Sequence, residues 1–252
     1  KAQVEQYGDC TCTLQVTCPD GTVLTEKGTE AVFKIEKPEL WWTRELSGKD
    51  RQPLYTVSAV LTAKEKELDR TEKRVGLRTI ELNRERDPYG MNFQFRLNGV
   101  PLFIKGSNLI PPDSFITRFD DKKLEALLDA AQFANLNMLR VWGGGYYASD
   151  AFYDACDRRG LLVWQDFGFA CQAYPFFLPE FLENVKTEVH AQVQRLCHHP
   201  SLAVWCGNNE IEDMHMAWVH MQKYVQWTEK FFYEILEPEI RAEDPDTPYT
   251  PG

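Results

Sequence analysis

Asn209 and Glu210 stand side by side at the end of the run LAVWCGNNE (202–210). A carboxylate beside an amide can hydrogen-bond the hydroxyls of a ligand. Arg140 and Trp142 in NMLRVWGGG (137–145) and Asp166 in LLVWQDFGF (161–169) supply groups that complement this pair. An indole offers an apolar face to a pyranose ring, and Asn and Asp hydrogen-bond its hydroxyls, so the set describes a sugar pocket. Each residue also has a plainer reading. Glu210 suits the start of a helix, Arg140 suits an ion pair with Asp166 or Asp113, and Trp142 suits a core.

Other groupings fail on spacing. Cys197-His198-His199 with Cys206 places ligands on adjacent residues, which seldom close on one ion, and His215 and His220 are not four apart. Neither a metal nor a cofactor is expected. Gly143 to Gly145 lacks the Lys-Ser/Thr of a phosphate loop and reads as a sharp turn that gives Trp142 room.

These residues are far apart in sequence, so the fold must gather them. Residues 1–91 read as β structure. Cys12, Leu14, Val16 and Cys18 alternate with polar neighbours, as do Ala31, Phe33 and Ile35, and then Tyr55, Val57, Ala59 and Leu61. Short strands broken by turns such as Pro19-Asp20-Gly21 predict an antiparallel sandwich, with the charged run KEKELDRTEKR (64–74) as a solvated hairpin connection. From residue 92 the period changes. Leu124, Leu127, Leu128 and Ala131 mark one helix face, capped by Asp120 or Asp121, and Leu182, Val185, Val189, Val193 and Leu196 mark a longer one. Apolar runs alternate with these helices, beginning with PLFIKG (101–106) and followed by the three runs quoted above. The β-then-α succession implies a parallel sheet. Lys105-Gly106-Ser107-Asn108 lacks the glycine spacing of an open dinucleotide fold, which favours the first half of a (β/α)8 barrel. Asn108, Arg140, Trp142, Asp166, Asn209 and Glu210 would then converge on one rim.

The segments RVGLRTIEL (74–82), FRLNGVPLFIKGSNLIPPDSF (95–115), NMLRVWGGGYY, WQDF and WCGNNE together resemble glycoside hydrolase family 2. The combination of IPPDSF, RVWGGG, WQDF and WCGNNE resembles its β-mannosidase branch of the animal lysosomal kind. The resemblance implies an immunoglobulin-like β-sandwich over 1–91 and the first four β/α units of a TIM barrel over 92–252. It implies a retaining glycosidase that removes terminal non-reducing β-D-mannose from oligosaccharides of glycoproteins in the lysosome, without cofactor or metal. Glu210 matches the general acid/base, and partial burial would raise its pKa. By the same resemblance Asn209 binds the 2-hydroxyl, Arg140 orients the nucleophile, Trp142 and Trp218 wall the sugar, and Asp166 holds a hydroxyl or Arg140. The family's nucleophile is a second Glu on a later strand. It is not among these 252 residues, so the segment alone is expected to be inactive. Rival readings are a family 2 β-galactosidase or β-glucuronidase and a non-catalytic carbohydrate-binding module.

Composition bounds the partners. The net charge of −10 and the lack of a dense Lys/Arg run argue against nucleic acid and anionic membrane surfaces. No stretch approaches 18 apolar residues, and aromatics at 13% argue for a packed core. Seven scattered cysteines do not form a disulfide scaffold. The oligomeric state is not readable from these features.

Overall fold

The structure, a computed structural model, describes the backbone of residues 2–3 and 10–252, with side chains for 10–218 and 221–252. The chain builds antiparallel sheets first and a parallel sheet second. Strands β1 (Ala2–Gln3), β2 (Thr11–Thr17), β3 (Val23–Lys27), β4 (Glu30–Ala31), β5 (Tyr55–Ala63) and β6 (Lys66–Val75) open it. A four-stranded antiparallel sheet runs in the order β3-β2-β5-β6, and β1 pairs with β4. In β2 the side chains of Cys12, Leu14 and Val16 are buried while those between them are not, the period-two pattern of a one-sided sheet.

Two expectations for this part need correction. The run 64–74 is mostly strand rather than connection. Lys64 and Glu65 form the turn, both with positive φ, the primed geometry whose twist matches a hairpin, and β6 carries the charges that follow. Its charged side chains on both faces are exposed, so solvation replaces burial. Phe33 and Ile35 lie beyond the end of β4, although Phe33 packs on Cys12 and Leu14. Three-residue alternation was too short to impose pairing there.

A short helix, α1 (Arg44–Ser47), leads into β5. After the four-stranded sheet, β7 (Ile80–Asn83), β8 (Gln94–Leu97) and β9 (Val100–Leu102) form a three-stranded antiparallel meander. A boundary drawn at 91/92 separates β7 from β8, which are hydrogen-bonded neighbours. Most of PLFIKG thus serves the meander and the link after it, and the first parallel strand is β10 (Gly106–Leu109). It is followed by α2 (Asp121–Phe133), β11 (Met138–Val141), α3 (Asp150–Arg159), β12 (Leu162–Asp166), α4 (Pro179–Leu196), β13 (Leu202–Cys206), then α5 (Ile211–Ala217), α6 (Val225–Glu229), α7 (Leu236–Glu243) and β14 (Tyr249–Thr250). Asp120 caps α2 by accepting the Lys123 N–H at 2.9 Å.

All neighbours in this five-stranded sheet are parallel, and spatial order equals chain order. A doubly wound sheet reverses its order where it binds ligand, and this sheet has no reversal. Its faces are divided. Leu139, Val141, Val163 and Trp205 join Leu128, Phe152, Val189 and Val193 in the core under the helices. Each such side chain contributes about 1.5–3 kcal/mol by leaving water. Met138, Leu162 and Val204 pack instead against Trp41, Ile80, Phe95, Leu97 and Leu102. The meander therefore covers the N-terminal ends of β11, β12 and β13 on that face. Two steps further along the same strands the residues become Arg140 and Trp164, and Trp164 still packs against Phe95 of the meander.

Candidate active site

Strand pairing aligns the polar residues before any side chain makes contact. Arg140 is opposite Trp164 in the β11–β12 register, and Asp166 is opposite Cys206 in the β12–β13 register. Beyond β13, Ala170 bridges to Asn209, and the Asn209 N–H donates to the Phe169 carbonyl at 2.9 Å. The sheet thus holds the loop after β12 against the residue preceding Glu210.

The side chains then converge on Arg140. Its Nε donates to both oxygens of Asp166, at 3.0 and 3.1 Å, and its Nη2 lies 2.9 Å from Asp166 Oδ2. The same Nη2 donates to Asn209 Oδ1 at 3.0 Å. Asp166, 1% exposed, also accepts the Gly143 N–H at 3.0 Å and the Trp164 Nε1–H at 2.9 Å. Gly143 permits this approach. A Cβ there would lie 2.4 Å from the Phe167 carbonyl oxygen and 3.1 Å from Asp166 Cβ.

Electrostatics follow from this packing. Burial works to lower the Arg140 pKa, but hydrogen bonds to Asp166 and its charge outweigh that, so the guanidinium is held above its ordinary value. Burial lifts the Asp166 carboxyl above its ordinary value, against the pull of Arg140 and the Gly143 N–H. Burial, with Asp166 nearby, pushes the Cys206 thiol up to about 12, so it is no nucleophile.

Glu210 stands at the edge of this cluster with φ +58° and an exposed side chain, not the partial burial expected of it. The helix-start reading is not how its carboxylate is used. The Ile211 N–H donates to Asn208 Oδ1 at 3.0 Å, while Glu210 makes no side-chain capping bond. Its Oε2 lies 3.6 Å from Cys171 Sγ. Glu212 and Asp213 fall in the first turn of α5, where acids suit the helix dipole. Trp142 follows β11 and lines a cavity of about 280 Å³ with Pro111, Phe119, Tyr146 and Phe152. Trp218 ends α5 and is 47% exposed. The structure therefore joins Arg140, Asp166 and Asn209 directly and brings Glu210 next to them through the chain, while Trp142 lines a cavity that none of these four residues lines.

The sequence profile described as Glycosyl hydrolases family 2 matches residues 3–78. Beta-mannosidase B of Aspergillus fumigatus is 39% identical over 91% of this chain, and that of Aspergillus niger is 38% identical over 87%. The chain belongs to glycosyl hydrolases family 2. Among solved family 2 structures, the beta-D-mannosidase of Dictyoglomus thermophilum superimposes with a TM-score of 0.85 at 37% identity, over 96% of this chain and 31% of its own. A Bacteroides uniformis beta-glucuronidase reaches a TM-score of 0.77 at 20% identity, over 95% of this chain and 29% of its own, a likeness of fold alone. The chain spans 28% of the length of the Aspergillus fumigatus relative and 27% of the Aspergillus niger one.

This family 2 chain also uses residues that the sequence reading passed over. Trp164 shares a strand face with Asp166, bonds to it, and sits under the Arg140 guanidinium at 5.7 Å. The period-two spacing of 164 and 166 in WQDF was the available signal. Cys171 carries no sequence signal, because only the turn after β12 brings it to Glu210. Among the described residues one group, Asp154, Asp157 and His199, has ligand atoms within 4.8 Å of one another. Asp154 pairs with Arg74 at 2.7 Å, and Asp157 binds His199 at 2.6 Å and the Ser201 N–H at 3.0 Å. Those bonds tie α3 to β6 and to the turn before β13.

Proposed function

We propose that the protein carrying this chain is a retaining glycoside hydrolase that removes terminal non-reducing β-D-mannose from oligosaccharides of glycoproteins. The observation that carries this reading is the Arg140 guanidinium binding Asp166 and Asn209 at once, on neighbouring strand ends and one residue from Glu210. The identity to proteins named beta-mannosidase supports the choice of sugar. Strand order that follows chain order supports the N-terminal half of a (β/α)8 barrel for the parallel part, and the immunoglobulin-like sandwich before it is carried by the sequence resemblance. The lysosome as its compartment is carried by the sequence resemblance alone.

In this reading Glu210 gives its proton to the departing glycosidic oxygen while a second carboxylate, outside these 252 residues, attacks the anomeric carbon. Glu210, now ionised, takes a proton from the water that releases mannose. Arg140, fixed by Asp166, offers positive charge to the attacking carboxylate and holds the Asn209 amide toward the 2-hydroxyl. Trp218 and Trp142 form side walls for the sugar in this reading.

The test compares aryl β-mannosides, β-glucuronides and β-galactosides on the whole protein, and then Glu210→Gln. Mannoside preference is expected. The Gln variant should lose about 10²–10⁴-fold on disaccharides and far less on dinitrophenyl mannoside, whose leaving group needs little proton help. Equal losses on both would remove the proton-donor role, and sugar binding without turnover by the wild type would favour a carbohydrate-binding module.

A further inference from the structure

We propose that Cys171 is a positioning residue for Glu210, coupling it to the Arg140–Asp166 pair. This rests on the acid/base reading of Glu210 above. The hydrogen bonds form a directed chain. Arg140 Nη2 donates to Asn209 Oδ1 at 3.0 Å, Asn209 Nδ2 donates to Cys171 Sγ at 3.4 Å, and the thiol reaches Glu210 Oε2 at 3.6 Å. Sulfur is both a weak acceptor and a weak donor, so the thiol can receive the amide and still offer its hydrogen to the carboxylate. Backbone contacts fix the main chain of Cys171 independently. The Cys171 N–H donates to the Asn209 carbonyl at 3.0 Å, and Ala170 bridges to Asn209.

The backbone gives a second reason. Cys171 at φ +48° and Glu210 at φ +58° are both non-glycine residues in the left-handed region, and they face each other. Such conformations are costly and persist where surrounding structure enforces them, often at sites that need a fixed side-chain direction. Glu210 is exposed, so its carboxylate has few neighbours to set its rotamer. Among the described residues the thiol is the polar side chain that meets it. Proton donation falls off steeply with misplacement of the donor, and a group that holds the carboxyl acts on that step. No ligand at the thiol is implied.

The experiment uses the whole protein and the variants Cys171→Ala and Cys171→Ser, with kcat/KM measured on a β-mannosyl disaccharide and on dinitrophenyl β-mannoside. Cys171→Ala should lower the disaccharide value about tenfold and leave the dinitrophenyl value within about twofold. Cys171→Ser, which keeps a hydroxyl donor, should recover most of the loss. If Cys171→Ala does not fold, capping the wild-type thiol as a methyl disulfide should give the same split, with Cys171→Ser as the resistant control. Equal losses on both substrates, or a Ser variant no better than Ala, would overturn the positioning role while leaving the mannosidase reading intact. A wild-type protein inactive on every β-glycoside would overturn both.

Discussion

Replacing Asp166 by Ala tests the arrangement at its centre. The carboxylate is 1% exposed and accepts from the Arg140 guanidinium, the Gly143 N–H and the Trp164 indole. Truncation strands all three donors. Removing one partner of a buried pair costs about 3–5 kcal/mol, because the other charge is left without compensation. The Arg140 side chain is 28% exposed, so water reaches it and the ion-pair component falls toward about 3 kcal/mol. The two N–H groups add about 1 kcal/mol each where they stay dry. The expected loss is therefore about 3–5 kcal/mol for Asp166→Ala. Asp166→Asn keeps the shape and one acceptor oxygen, and should lose about 1–3 kcal/mol. The assay is urea unfolding followed by tryptophan fluorescence, with Arg140→Met completing a double-mutant cycle. A coupling near zero, or an Ala variant no weaker than Asn, would refute the claim that this pair organises the strand ends.

Further consequences follow from the same geometry. Gly143→Ala places a Cβ 2.4 Å from a backbone oxygen that cannot swing away, so it should cost about 1–3 kcal/mol or more in thermal or urea unfolding. Trp164→Phe keeps a ring under Arg140 but removes the donor to Asp166, an expected loss of about 1 kcal/mol in the same assay. The pH dependence has a definite sign. Burial raises the folded-state pKa of Asp166 above its ordinary 3.8, so the proton-linked part of its contribution is full below that value and is lost as pH rises through the folded value. Arg140→Met removes groups that pull this pKa down, so melting temperatures measured from pH 4 to 8 should fall more steeply with rising pH in the variant than in the wild type.

Much of this was legible before any coordinates. The alternation at Cys12, Leu14 and Val16 marked β2, and the 3.6-residue stripe at Val185, Val189 and Val193 marked α4, because one-sided burial writes its period into the sequence. The runs ending in Arg140, Asp166 and Asn209 were assignable to neighbouring strands for the same reason. Period alone did not show where a run changes partner. PLFIKG is apolar enough for a parallel strand, yet Val100–Leu102 pairs backward onto β8, since the Asn98-Gly99 turn, both residues at positive φ, closes a hairpin there. Burial of Glu210 was likewise unreadable, because side-chain exposure at a strand end depends on which loops fold over it.

The site that results has two mechanical parts. Arg140, Asp166 and Trp164 lie within the sheet and Gly143 in the tight turn after β11, where strand register and close packing leave each group one position. Glu210 lies past the end of β13, exposed, on a left-handed residue just before α5. A group that donates a proton and then takes one back must meet a leaving oxygen and later a water, so some freedom of its carboxyl suits the work. Complete freedom would forfeit the orientation that makes proton donation effective. Under the roles proposed above, the Asn209–Cys171 link would answer both demands, because a weak sulfur contact restrains the carboxyl without locking it. A direct ion pair from Arg140 to Glu210 would hold the carboxylate charged and oppose the protonated state that glycosidic cleavage needs. Asp166, more deeply buried than Arg140, occupies the guanidinium from within, and under the proposed acid/base role of Glu210 that division would let a fixed cation and a working acid share one rim.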